Sequence, residues 1–170
     1  MKKALFILIS LVFSTTLFAQ KGPKEDRNSP PAKVSAVAGK SIITIDYSQP
    51  FVKGRKVWGG IVPLDSVWRT GANEATIFET SRDIKVNGNV LPAGKYSLFT
   101  IPSANEWTVI FNKQADQWGS KAYDAKQDFL RFKVKPGKTK SLQEQLTFYI
   151  ENSNVILKWE NTELVLNITK

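Results

Sequence analysis

The residues best suited to chemistry lie in one short run, residues 67–74 (VWRTGANE). Arg69 can hold a carboxylate or a phosphate through two parallel hydrogen bonds, and Asn73 and Glu74 can bind hydroxyl groups. Trp68 offers a flat apolar face for stacking on a sugar ring. Gly71 permits an unusual backbone angle in this run. Together these residue types predict a binding loop for a small polar ligand.

The same run also has a purely structural interpretation. Arg69 and Glu74 could form a partly buried salt bridge that pins the loop, with Trp68 in the core. Structural ion pairs use the same residue types as binding sites. The sequence leaves both interpretations open.

Two further segments carry candidate site residues. In residues 53–60 (KGRKVWGG), Arg55 would form a basic rim with Trp58 at its edge, although the phosphate-loop order Gly-x-x-x-x-Gly-Lys-Ser/Thr is absent. The alternative for this run is a surface excursion whose glycines make tight turns. Trp118 lies outside any strand pattern, so it could line the same pocket or plug one end of the domain.

The absence of histidine and cysteine from the sequence limits the possible reactions. It excludes Ser-His-Asp triads, His-ligated zinc or copper and disulfides. Any reaction would have to use carboxylates, lysine, tyrosine or a hard metal bound by carboxylates. The alternative to a binding domain is a hydrolase with Glu74 as acid or base and Asp46 as its partner. A glycosidase would need the two groups about 5–10 Å apart. No Asp-x-Asp-x-Asp-Gly loop occurs, and we expect no metal and no cofactor.

Hydrophobic residues recur every second position along most of the chain. This alternation is typical of strands with one face in the core and one in water. Turn signals such as Asn87-Gly88, Pro136-Gly137 and 152–154 separate the strands, and a short helical turn is expected near residues 123–126. We predict an all-β domain, an antiparallel sandwich or jelly-roll-like fold of eight to ten strands. The alternating residues include Ile43, Ile45, Tyr47, Trp107, Val109, Phe111, Leu130, Phe132, Val134, Leu146, Phe148, Ile150, Val155, Leu157, Trp159, Leu164, Leu166 and Ile168.

The amino terminus predicts export. Two lysines, an apolar run over residues 4–18 and a cleavage site at Ala19-Gln20 are the three parts of a signal peptide, residues 1–19. The run is shorter than the ~20 residues of a membrane-spanning helix, so we expect no transmembrane segment in the mature chain. A proline-rich leader, residues 20–31, would be flexible and precede a single domain, residues 32–170. We expect the protein in the periplasm or outside the cell.

The chain carries 24 lysines and arginines against 15 acidic residues. The excess is scattered, and the aromatic residues fall mostly on core faces, so we expect no nucleic-acid partner. The charge suits a solvated surface or contact with anionic polymers of the cell envelope. The oligomeric state is not indicated by the sequence.

Several runs of the chain, in order, resemble a family of exported bacterial proteins called domain of unknown function 2911. The resemblance implies one β-rich exported domain and no established activity. The runs are residues 29–34, 44–48, 52–55, 58–60, 67–75, 91–98, 101–102, 106–110 and 117–119.

The sequence favours a non-catalytic binding domain for a small polar ligand or an anionic envelope glycan. Arg69, Asn73 and Glu74 would make the polar contacts, with Arg55 at the rim. Three tryptophans, Trp58, Trp68 and Trp118, would form the apolar walls. The alternatives are a carboxylate-based glycan hydrolase and a structural or partner-binding envelope protein.

Overall fold

The computed structural model describes residues 27–170. The predicted signal peptide, residues 1–19, and most of the predicted leader lie outside these residues. Across 27–170 there is no helix with the length and apolar character needed to span a membrane. The elements are β1 Pro31–Ala38, β2 Ser41–Ser48, β3 Thr76–Thr80, β4 Ile84–Val86, β5 Asn89–Leu91, β6 Gly94–Ile101, β7 Trp107–Asn112, a 3-10 helical turn Ala125–Gln127, β8 Asp128–Val134, β9 Gly137–Glu151 and β10 Asn154–Thr169.

The strands form two antiparallel sheets, which confirms the predicted all-β sandwich. One sheet has six strands in the order β1-β2-β3-β6-β7-β8, and the other has four in the order β5-β4-β10-β9. We call the side of the six-stranded sheet that packs on the other sheet its inner face, and the opposite side its outer face. Apolar residues from both sheets meet between them and are almost fully buried; they include Ile45, Phe78, Leu98, Phe111, Leu146, Leu157 and Leu166.

The short turns follow from residues that tolerate a left-handed backbone. Asn87 and Gly88 have φ of 48° and 81°, and they join β4 to β5 with Val86 opposite Asn89. A two-residue hairpin turn that matches strand twist needs positive φ at both positions. Asn152 and Ser153, with φ of 49° and 57°, join β9 to β10 in the same way.

The sequence pattern divides the last strand incorrectly. Residues 155–159 and 164–168 suggest two strands, whereas β10 is continuous from Asn154 to Thr169. Irregularities in its pairing with β9 occur between Lys158 and Glu160 and between Glu160 and Thr162. An extra residue at a bulge shifts the alternation by one position, so the inward residues change from odd to even numbers within one strand.

The domain also extends slightly further towards the amino terminus than the sequence pattern indicates. β1 begins at Pro31, and the backbone oxygen of Pro30 accepts a hydrogen bond from the Gln49 amide at 2.9 Å. The Arg27 side chain and the Ser29 backbone oxygen also bond to the domain. The end of the predicted leader is therefore attached to the sandwich.

Four tryptophans pack together at one end of the interior, and we call them the tryptophan cluster: Trp58, Trp68, Trp107 and Trp159. The Trp58 ring centroid lies 4.7 Å from that of Trp107 and 5.6 Å from that of Trp159, both in edge-to-face contact. The burial of Trp107 and Trp159 confirms their predicted core positions. Within residues 27–170 the indole nitrogens of Trp58 and Trp159 have no hydrogen-bond partner, and neighbouring ring faces are the weak acceptors available to them.

The loop that brings Trp58 to this cluster depends on Gly60. A Cβ atom added there would lie 2.2 Å from the backbone oxygen of Lys56. Gly54 in the same loop has no heavy atom within 4 Å of an added Cβ, but its φ is +65°.

We predict that Gly60→Ala lowers the free energy of unfolding by about 2–3 kcal/mol, because the clash is with backbone and cannot be relieved by a rotamer change. Gly54→Ala is the matched control and should cost about 1 kcal/mol, from backbone conformation alone. Urea unfolding of both variants measures the difference. Equal losses would show that the loop relaxes freely around residue 60.

Candidate functional site

The run 67–74 is attached to the six-stranded sheet through Trp68. The Trp68 amide donates to the Thr100 backbone oxygen at 2.8 Å, and the Thr100 amide donates back at 2.9 Å. Trp68 thus occupies the place beside β6 that β3 leaves vacant beyond Thr76. Its ring enters the tryptophan cluster, and its indole nitrogen donates to the Gly71 backbone oxygen at 3.0 Å. Because side chains alternate along an extended segment, Val67 and Arg69 face the outer side of the sheet.

The backbone after Arg69 is tightly constrained. Thr70 is fully buried with φ of 52°, an unfavourable angle for a β-branched residue, and Asn73 has φ of 57°. The Thr70 backbone oxygen accepts a hydrogen bond from Thr76 Oγ1 at 2.9 Å. Gly71, expected to supply the unusual backbone angle, does not have a positive φ. It is needed for space, since an added Cβ would lie 2.9 Å from Thr76 Oγ1.

The run then forms a short antiparallel ladder with residues 117–119. The Gly119 amide donates to the Asn73 oxygen at 3.1 Å, and the Ala75 amide donates to the Gln117 oxygen at 3.0 Å. Glu74 therefore lies opposite Trp118. The ladder brings residues distant in sequence together at the outer face.

Glu74 forms an ion pair with Arg27. Arg27 Nη1 donates to both carboxylate oxygens of Glu74, at 3.0 and 2.8 Å, and the Arg27 guanidinium lies 5.7 Å from the Trp118 ring centroid. Asn73 Nδ2 also donates to the Ser29 backbone oxygen at 3.1 Å. Asn73 and Glu74 thus hold the start of the described chain against the ladder.

Arg69 has no anionic partner among the residues that the structure describes. In the stretch 27–170 no ion pair joins it to Glu74, and its buried Nε has no hydrogen-bond partner. Removal from water lowers the pKa of the Arg69 guanidinium. Its Nη1 lies beside the turn at Gly119, 3.5 Å from where a Cβ would be. A half-buried guanidinium with no counter-ion is costly, because it loses hydration without gaining a partner.

A groove runs along the outer face beside the ladder, and we call it the outer groove. Its volume is about 380 Å³, and its lining includes Asp46, Glu74, Ile77, Lys95, Asp116 and Gln117. Asp46 pairs across the sheet with Ile77, which pairs with Ser97, so these residues share the outer face. The two carboxylates of the hydrolase interpretation, Asp46 and Glu74, therefore line one groove.

Buried polar side chains hold the segment between β7 and β8 that carries Gln117, Trp118 and Gly119. Ser97 Oγ donates to the backbone oxygens of Gln114 and Ala115 at 2.6 and 2.8 Å. Asn112 Nδ2 donates to the Asp124 backbone oxygen at 3.0 Å and to Asp128 Oδ1 at 2.8 Å.

Tyr123 completes this support from the far end of the segment. Its hydroxyl donates to Asp128 Oδ2 at 2.6 Å, and its ring packs on Phe99 at a centroid distance of 5.0 Å. The same carboxylate lies 3.5 Å from Arg131 Nη1. The segment is thus anchored to the outer face on both sides of Trp118.

The structure separates the predicted site residues into two groups. It brings Arg69, Asn73, Glu74 and Trp118 together at the ladder, and Trp118 remains 46% exposed.

The other predicted residues lie elsewhere. The Trp68 ring is buried in the tryptophan cluster on the inner side, and the partly buried Trp58 ring packs against the same core. They therefore do not form walls around Arg69. Arg55 donates to the backbone oxygens of Val52 and Phe51 at 3.1 and 2.6 Å, which stabilises its own loop.

Sequence reasoning missed several residues of this region. Arg27 is remote in sequence and falls in the predicted leader, and Gln117 lies outside any periodic pattern. Ser97 and Asn112 could have been identified from the sequence, since each is a polar residue in a strongly apolar strand. Buried polar side chains in strands need specific partners, and here those partners position the Trp118 segment.

No set of three or more acidic side chains in residues 27–170 is arranged to hold a metal ion. The carboxylates of the outer groove are instead paired with cations. Lys33 Nζ lies 3.2 Å from Asp46 Oδ2, and Lys95 Nζ lies 3.2 Å from Asp116 Oδ1.

Comparison with family models gives one match, covering residues 29–168, to the family described as protein of unknown function (DUF2911). The chain belongs to DUF2911. The match spans both sheets, the ladder and the outer groove, so the whole sandwich is the family domain. No curated protein and no solved structure matches the chain.

The different surroundings of Arg27 and Arg69 predict opposite effects on stability. Arg27→Met should lower the free energy of unfolding by about 1 kcal/mol, because it breaks a partly exposed ion pair. Arg69→Met should leave it unchanged or raise it, because the substitution keeps an apolar stem and removes an unpaired charge. Thermal and urea unfolding of both variants provide the test. A loss at Arg69 as large as that at Arg27 would assign it a structural role.

Because of Tyr123, we predict that the free energy of unfolding decreases at alkaline pH. Burial, its hydrogen bond to Asp128 and the charge of that carboxylate raise the pKa of Tyr123 well above the ordinary 10.0. The fold therefore favours the neutral phenol, and this stabilisation is complete below pH 10 and lost as the pH rises through the folded-state pKa. Tyr123→Phe should remove that dependence and cost about 1 kcal/mol at neutral pH.

Urea unfolding of the wild type and of Tyr123→Phe, at neutral and alkaline pH, tests this expectation. Tyr149→Phe is the matched control because its ring is largely exposed. An identical loss of stability at alkaline pH in the wild type and in Tyr123→Phe would contradict the assignment.

Proposed function

We propose that this protein is an exported, non-catalytic binding domain that holds a small oxyanion, a carboxylate or a phosphate group, on the guanidinium of Arg69. The observation that carries the proposal is the half-buried Arg69 side chain, whose Nε has no partner anywhere in residues 27–170. Export rests on the predicted signal peptide. An anionic glycan of the envelope is one source of such a group.

The pairing of Glu74 removes the main structural explanation for Arg69. The residue expected to neutralise Arg69 is bound by Arg27 instead. A guanidinium in a partly dry site gains most from a planar or tetrahedral oxyanion, which accepts two parallel hydrogen bonds. The bound anion would replace the hydration that Arg69 loses on folding.

The surroundings of Arg69 favour recognition of a ligand. Gly119 places no side chain over Nη1, and the exposed ring of Trp118 adjoins it in the chain. Hydrogen bonds hold both sides of this corner: Ser97 Oγ donates to the Gln114 backbone oxygen, and Thr76 Oγ1 donates to the Thr70 backbone oxygen. A rigid position reduces the entropy lost when a ligand binds.

The hydrolase alternative has one observation in its favour, the shared groove of Asp46 and Glu74. Acid–base catalysis needs one carboxyl group that carries a proton and one that does not. Glu74 accepts two hydrogen bonds from Arg27, and Asp46 accepts one from Lys33, so both carboxylates are already engaged by cations. This pairing makes the binding domain the better supported proposal.

The test is isothermal titration calorimetry of the chain lacking residues 1–19 with inorganic phosphate and, separately, with succinate. We expect saturable binding of at least one anion. Arg69→Met should weaken it at least about ten-fold, because charge-assisted hydrogen bonds are lost. Arg69→Lys should give an intermediate loss, since it keeps the charge without the planar fork.

Arg55→Met is the matched control, because Arg55 is an exposed arginine that bonds only to its own loop in the described chain. It should bind the anions as the wild type does. Preference for phosphate or for succinate would identify the oxyanion class. Absence of binding to both, or equal losses in the Arg55 and Arg69 variants, would refute the proposal.

A further inference from the structure

The outer groove contains a polar group without a hydrogen-bond partner in residues 27–170, and it is an acceptor where Arg69 is a donor. Gln117 lines this groove and is only 8% exposed. Its Nε2 donates to the Gln114 backbone oxygen at 2.7 Å and to Ser97 Oγ at 3.3 Å. Its buried Oε1 accepts no hydrogen bond from residues 27–170.

The orientation of this amide follows from its partners. The Gln114 backbone oxygen can only accept, so the NH₂ end of Gln117 must face it and Oε1 must face away. A buried carbonyl oxygen without a donor carries a desolvation cost of its own. Gln117 Oε1 therefore lacks a hydrogen-bond donor, whereas Arg69 Nε lacks a hydrogen-bond acceptor.

The other polar groups of the outer groove are also mainly acceptors. Three carboxylates line it, those of Asp46, Glu74 and Asp116, and they lie within 3.2 Å of the cations of Lys33, Arg27 and Lys95 respectively. The pairs Lys33–Asp46 and Lys95–Asp116 are exposed, so they use little of the hydrogen-bonding capacity of each carboxylate. Ala75 and Ile77 add apolar surface to the same lining.

We propose that the outer groove binds an organic amine, with a primary ammonium group donating to Gln117 Oε1 and attracted by Asp46 and Asp116. A short alkyl stem would lie on Ala75 and Ile77. An ammonium carries three donors, which match the unpaired oxygen of Gln117 and the lone pairs that the exposed ion pairs leave available on Asp46 and Asp116. This site does not depend on anion binding at Arg69.

An organic cation fits the lining better than a bare metal ion. The acidic side chains of residues 27–170 include no group of three placed to coordinate one ion. Hard cations such as Ca²⁺ and Mg²⁺ need several oxygen ligands converging at 2–2.6 Å, in about six positions or more. A flexible amine can use the same oxygens one at a time.

The experiment is titration of the chain lacking residues 1–19 with 1,4-diaminobutane, followed by calorimetry and by the NMR signals of the side-chain amides. We expect saturable binding that shifts the Gln117 NH₂ signals. Gln117→Met should weaken it about ten-fold, through loss of a hydrogen bond to a charged group. Asp46→Asn and Asp116→Asn should each weaken it about two- to five-fold, as expected for exposed charges.

Glu106→Gln is the matched control, an exposed acid outside the groove lining. It should leave the affinity unchanged. Gln117→Met also removes the contact with Ser97, so a loss of binding in that variant could have a structural cause. Asp46→Asn and Asp116→Asn leave that contact intact and therefore test amine binding independently. Absence of saturable diamine binding, or equal weakening by Glu106→Gln, Asp46→Asn and Asp116→Asn, would overturn the proposal without affecting that for Arg69.

Discussion

The backbone pair between Trp68 and Thr100 is the constraint on which the candidate site depends. It fixes an otherwise irregular segment beside β6, so the Trp68 ring must enter the interior and Arg69 must face the opposite side. The position of Arg69 therefore follows from the packing of its neighbour, and the strained backbone at Thr70 is held by the same contacts.

Charge pairing on the outer face then decides which groups remain available. The ladder of residues 73–75 and 117–119 presents Glu74 and Trp118 to Arg27, and this contact ties the start of the described chain to the sandwich. Arg27 therefore has a carboxylate partner, whereas Arg69 has none within residues 27–170. Two polar groups stay unsatisfied on this face within residues 27–170, a donor at Arg69 and an acceptor at Gln117. Such groups are rare in folded proteins, and each needs a physical explanation.

Local pattern was sufficient for most of the strands and insufficient for most of the site. Alternation identified β2 and β7, and Asn87-Gly88 identified a hairpin, because both signals depend on neighbouring residues alone. The bulge at Glu160 defeated the same reasoning within β10, since it changes the alternation without any marker residue. The start of β9 was missed because residues 137–145 are polar and largely exposed.

The sequence by itself determined the all-β architecture and the family, because period, turn residues and motif order are properties of the chain. Only the tertiary structure decided that Arg27 pairs with Glu74, that Trp58 and Trp68 lie in the core, and that Asp46, Asp116 and Gln117 share one groove. The physical reason is that ion pairs and grooves depend on distances between strands far apart in sequence. Those distances are set by sheet order and by the register of the Trp118 segment, and no local pattern encodes them.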